Sequence, residues 1–148
     1  MKLYEIGVGP GAVGALGDVF GNFGSAVATM LTSKVYTSAD AVEDDMIKGF
    51  NKALADEQKK FAQNPKEYQT QNRRNIDKKT GELHKGQLLK AFMYNFMSSK
   101  HGDLPETKQV LKKFDKNQAF VNGKPNRPYI FRAIKQLAKI FVTKANIK

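Results

Sequence analysis

Residues 37–65, TSADAVEDDMIKGFNKALADEQKKFAQNP, decide the fold class. Thr37-Ser-Ala-Asp40 is a capping-box pattern, and Asp40, Glu43, Asp44 and Asp45 crowd the first turns while Lys59 and Lys60 sit in the last. Both ends complement a helix dipole. Val42, Met46, Phe50, Ala53 or Leu54, and Phe61 recur in steps of three and four and form one apolar face, which Asn64-Pro65 ends. The stretch predicts a helix over about 39–63.

C-terminal to it, the same period returns. Leu88, Leu89, Phe92, Met93, Phe96 and Met97 predict a helix near 85–100, closed by Lys100-His101-Gly102. Asp103 as cap and Pro105 in the first turn open a helix near 105–116, with Val110, Leu111 and Phe114 inward and Lys108, Lys112, Lys113 and Lys116 in water. Asn122-Gly123 is a turn signal and predicts a short hairpin near 119–127. Pro128 begins a last helix, near 128–144, with Ile130, Ile134, Leu137 and Phe141 as its stripe and Arg132, Lys135, Lys139 and Lys144 opposite. Residues 65–82 have almost no apolar content and read as an exposed polar loop.

On the N-terminal side, only Asp18 is charged among the 28 residues from Ile6 to Ser33, and seven of the chain's 12 glycines fall between Gly7 and Gly24. Val13, Leu16, Phe20, Phe23, Val27 and Met30 keep a helical step, which predicts a helix near 12–32. Gly17, Gly21 and Ser25 flatten one flank, as in a GxxxG pattern. Three uses compete. The segment docks as a helix or arm on neighbouring subunits or on its own domain; or it inserts into a membrane, with Asp18 opposing a permanent span; or GVGPGAVG cradles a phosphate, where Pro10 removes a needed donor and no Lys-Ser/Thr pair follows. Its alternation of Gly and Ala with Val, Leu and Phe is similar in composition to the fusion peptides of enveloped viruses. The first use is preferred, and Val13, Leu16, Gly17, Phe20, Gly21, Phe23 and Val27 are its candidate assembly or membrane-contact residues.

Fold class and organisation follow: a mainly α domain of four to five helices, divided into an apolar glycine-rich segment, 1–36, and a basic helical body, 37–148. At 148 residues one ordinary domain is expected. Charge divides along a similar line. Residues 1–57 carry four basic groups against eight acidic ones, net −4, and the remainder carries 21 against six, net +15. Such a boundary suggests two surfaces with two partners.

No cysteine occurs, which excludes disulfides and thiolate chemistry, and the two histidines, His84 and His101, read as helix-terminus residues. Adjacent helical residues such as Asp44 and Asp45 diverge by about 100° and do not converge on one ion. No HExxH, GxSxG or Walker A pattern appears. No catalytic, cofactor-binding or metal-binding residue is assigned, and no cofactor is expected. The N-terminus lacks the basic n-region of a secretory signal, so a virion or cytoplasmic location is favoured over secretion.

The function expected is that of a non-enzymatic structural or assembly subunit of a larger complex, of the kind found in a small phage-type virion. Its apolar N-terminus would dock on other protein subunits, in a homo- or hetero-oligomer, and its basic body would face acidic partners. Two alternatives stand beside it. One is backbone-directed nucleic-acid binding through the basic C-terminal region; the other is transient membrane contact by the N-terminal segment. The candidate basic surface is Arg73, Arg74, Lys78, Lys79, Arg127, Arg132, Lys135 and Lys139, with Tyr68, Tyr94 and Tyr129 as candidates for stacking on bases.

Overall fold

The computed structural model describes residues 20–146. Among them the chain forms seven α-helices and one two-stranded sheet, the mainly α fold expected. The helices are α1 (Ser25–Thr32), α2 (Ala39–Gln63), α3 (Pro65–Gln71), α4 (Lys85–His101), α5 (Pro105–Lys113), α6 (Lys116–Ala119) and α7 (Arg127–Asn146). The hairpin strands, β1 (Phe120–Val121) and β2 (Lys124–Pro125), lie between α6 and α7.

α4 is the axis of the core. Leu88, Leu89, Phe92, Met93, Phe96 and Met97 are all buried, and so are Gly86, Gln87, Ala91 and Tyr94 on its other sides. A helix buried nearly all round needs neighbours on every flank, and α1, α2, α5, α6 and α7 supply them. Phe92 meets Phe23, Phe50 and Phe96, while Phe96 meets Tyr36 and Phe141, at centroid separations of 5.4–6.5 Å. These tilted and edge contacts suit ring quadrupoles and tie four segments to one centre. α7 covers α2 and α4 with Ile130, Ile134, Leu137 and Phe141, the stripe read from the sequence.

Helix ends show local chemistry at work. α2 is capped by Ser38, whose hydroxyl accepts from the Ala41 N–H at 3.2 Å, one residue later than the expected Thr37 box. α4 begins on His84, which accepts the Gln87 N–H at its Nδ1, and ends on Gly102 at φ 71°. The hairpin pairs Phe120 with Pro125 through a turn in which Asn122 and Gly123 have φ of 53° and 79°. Positive φ at both central residues matches the twist of paired strands.

Four expectations are corrected. The helix expected near 12–32 does not run through residues 21–24. Gly21 and Gly24, at φ of 81° and 70°, turn the chain there, and Asn95 Nδ2 donates to the carbonyls of Gly21 and Phe23 at 3.2 and 3.0 Å to hold the turn on α4. Side-chain amides supplied a reason for a break that an apolar count does not contain. The remainder of that helix, with Val13, Leu16 and Gly17, lies outside the described residues.

The polar loop expected over 65–82 contains α3 and a 3-10 turn, Arg73–Asn75. Asn64 caps α3 by accepting the Glu67 N–H, and buried Tyr68 donates to the Glu57 carboxylate while accepting from Asn75 Nδ2 at 3.2 Å. Burial, then the Glu57 carboxylate, push the Tyr68 hydroxyl well above its ordinary pKa. One aromatic and a set of amides order this segment in place of an apolar stripe.

The helix expected over 105–116 stops at Lys113. Phe114 turns extended to bury its ring beside Tyr129, and the Asp115 carboxylate captures the Asn117 N–H at 2.8 Å to start α6. Asp103 does not cap α5; Leu104 holds that position and Asp103 pairs with Lys108 at 3.6 Å.

Candidate nucleic-acid interface

From Thr107 to Asn146 the chain carries ten basic residues and one acid, Asp115. This run builds most of α5, then α6, the hairpin and α7. The apolar stripes of these elements point inward, so helical geometry turns the cations outward. Lys112, Lys113, Lys116, Lys124, Arg127, Arg132, Lys135 and Lys139 are exposed. Three of the ten have ion-pair partners: Lys108 with Asp103, Lys135 with Glu43 at 3.7 Å, and Lys144 with Glu106 at 2.7 Å. The other seven pair with no carboxylate among the described residues.

Asp115 is the one acid among them, and its carboxylate is held by neutral donors. One oxygen accepts from the Asn117 N–H and the other from Gln118 Nε2 at 3.2 Å, and its own N–H donates to the Tyr129 hydroxyl at 2.7 Å. The local field is legible at Lys90, whose ammonium donates to the Phe114 carbonyl at 3.1 Å. Burial first, and then the charge of Lys116, lower its pKa, while the charge of Asp115 opposes them. Between α5 and α7, Lys113 and Arg132 flank a small cavity of about 210 Å³ that Tyr129 and Phe114 also line.

The candidate basic residues divide into two sets. Arg132, Lys135 and Lys139 share the outer side of α7, and Arg127 stands exposed at its first residue. Arg73 and Arg74 stand exposed on the 3-10 turn, and Lys78 and Lys79 on the tight turn that leads to Gly81, a separate excursion closed by the Ile76–Leu83 bridge. The sequence-based list missed Lys112, Lys113, Lys116 and Lys124. The ten-to-one ratio was the signal for them.

Of the stacking candidates, Tyr68 and Tyr94 are buried in the domain and have no face to offer. Tyr129 is half-buried with its hydroxyl engaged by Asp115. Of the assembly residues, Phe23 is core, Phe20 stacks on Tyr94 at 4.7 Å, and Val27 packs against the core. Gly21 forms the turn under Asn95. All four serve this domain's own interior.

A cavity of about 470 Å³ separates the loop before α4 from the hairpin and is lined by Asp77, Glu82, His84, Lys85, Lys116 and Asn117, among others. Because His84 Nδ1 accepts the Gln87 N–H, its Nε2 carries the proton and donates to Asn117 Oδ1 at 3.1 Å. Both ring nitrogens are occupied by structural bonds. Among the described residues no group of three or more His, Cys, Asp or Glu converges as a metal site, and no helix is long and apolar enough to cross a membrane.

Comparison with known proteins finds no matching family model, no matching curated sequence and no matching solved structure.

Proposed function

We propose that this protein is a non-enzymatic subunit of a nucleoprotein assembly, and that its α5–α7 quarter holds nucleic acid by the phosphate backbone. One observation carries the reading: seven exposed cations without carboxylate partners among the described residues, on a stretch that holds a single acid. A surface of one sign attracts phosphate and releases counterions on contact, and it reads no sequence. A virion, where nucleic acid packs densely against protein, is an assembly that would use such a face. Within the N-terminal segment Phe20, Phe23 and Val27 pack on the domain itself, while Met30 and Val35 are exposed and available to the assembly contact expected of it.

Salt titration tests it. If all seven cations meet phosphates, log affinity for duplex DNA falls against log salt with a slope of about −6. Reversing Arg132 and Lys139 to glutamate then makes the slope shallower by about two or more. Absence of binding in dilute buffer, or a slope unchanged in the double variant, refutes the assignment.

A further inference from the structure

Beside the basic quarter runs an apolar groove that backbone contact leaves unused. α2, the hairpin and α7 enclose about 210 Å³, walled by Ile47, Phe50 and Ile134, with Asn51, Arg127 and Phe131 on the open side. Phe131 is 37% exposed on a helix whose other large apolar residues face inward, and none of the nine lining residues is acidic. Lys124 precedes the lining Pro125, and Lys135, one helical turn after Phe131, is paired with Glu43 of α2 at 3.7 Å.

Size and charge narrow the occupant. The space is below the roughly 300 Å³ at which pockets for drug-sized molecules begin, so it admits one planar ring system and leaves a sugar and phosphate outside. Outside stands Arg127, a cation with a planar fork suited to phosphate. An occupant with an apolar flat part, a polar edge and an attached anion matches all three exposed residues.

We propose that this groove takes one unpaired base of a single-stranded nucleic acid. The base stacks on Phe131, turns its hydrogen-bonding edge to the Asn51 amide, and leaves its phosphate on Arg127. The inference rests on the backbone-binding reading of the same quarter and adds a preference to it. A base inside a duplex is stacked and paired and does not enter, so the groove favours single strands.

Fluorescence anisotropy of the full chain with a labelled oligo-dT of about 20 nucleotides, and with its dT·dA duplex, tests this. The wild type should prefer the single strand. Phe131→Ala should weaken single-strand binding about five- to a hundredfold, the range of one stacked base, and leave duplex binding and its salt slope unchanged. Phe131→Leu, which keeps apolar bulk without a flat face, should show the same loss. Equal wild-type affinity for strand and duplex, or a single-strand affinity that ignores both variants, overturns the groove assignment while backbone binding stands. No binding of either nucleic acid overturns both. Unchanged affinities with a variant-dependent change of mass by light scattering would assign the groove to a protein contact and overturn the base.

Discussion

Phe23→Ala separates the two roles that the N-terminal segment could play. The Phe23 ring is 7% exposed and meets Phe50 and Phe92 edge-on at 6.2 and 6.5 Å, where α1, α2 and α4 converge. Truncating a buried phenylalanine typically costs about 3–5 kcal/mol, because the lost transfer energy is joined by a cavity. Here the walls are the rings of Phe50 and Phe92, held in turn by Phe96 and Phe120, which limits collapse and favours the upper part of that range. Each kcal/mol moves the midpoint of a domain this size by roughly 2–4 °C, so a fall of about 6–20 °C is expected by thermal circular dichroism. A chain lacking residues 1–33 loses Phe23, Ala28 and Thr32 together and should not fold cooperatively, given a total stability of about 5–15 kcal/mol. A Phe23→Ala midpoint within about 2 °C of wild type, with a helical, cooperative truncated chain, would show that α1 is an accessory arm and that its packing here is not part of the core.

Gly86→Ala is expected to destabilise although alanine is the better helix former by about 1 kcal/mol, because its Cβ would lie 1.9 Å from the Lys116 carbonyl oxygen. A backbone atom cannot rotate away, so α6 must shift; urea unfolding should show a net loss, and a variant as stable as wild type would refute the close approach. His101 gives the pH dependence. Burial, the largest cause, lowers its pKa below 6.5, so on acidification the unfolded chain takes the proton first. Its contribution is therefore fully present above pH 6.5 and is lost as pH falls through the lowered folded value. Denaturant unfolding between about pH 7 and 5 should be flatter for His101→Gln than for wild type, and parallel curves would refute the assignment.

Legibility followed the kind of interaction that shapes each element. α2, α4 and α7 are held by apolar stripes, and their positions were readable because Val42, Met46, Phe92, Phe96, Ile134 and Phe141 are placed at helical spacing. α3 and the turn at residues 21–24 depend on single amides and one tyrosine, Asn64, Asn95 and Tyr68, whose partners lie elsewhere in the fold. Asn95 and Gly21 are 74 residues apart, and no local pattern marks that pair. The break at Phe114 is intermediate: Asp115 is a good cap by type, but an apolar residue in step with Val110 and Leu111 masked it. For the candidate interface, the outward side of α7 was legible from amphipathicity. The groove beside it was not, since Ile47, Pro125 and Phe131 meet only through tertiary packing.

The charge asymmetry also changes meaning once the fold is known. Read along the chain, the acidic first third suggests a surface for a second partner. Yet of the six acids between Asp40 and Glu57, three are engaged in holding the domain. Asp45 accepts from Tyr36 at 2.7 Å and pairs with Lys34, also at 2.7 Å, fastening the chain before α2. Burial alone would raise the Asp45 pKa, and the bonds from Lys34 and Tyr36 outweigh it and carry the carboxyl below its usual range. Glu43 reaches Lys135 on α7, and Glu57 anchors Tyr68 of α3. Each of the three has a lysine within 4.0 Å, and a carboxylate paired with an ammonium offers less field to an outside ligand. Of the six basic residues on α6, the hairpin and α7 as far as Lys139, five, Lys116, Lys124, Arg127, Arg132 and Lys139, have no such pairing among the described residues. Half of these acids bind the fold to itself while most of the bases on α5–α7 are left over, so the functional argument rests on the basic side.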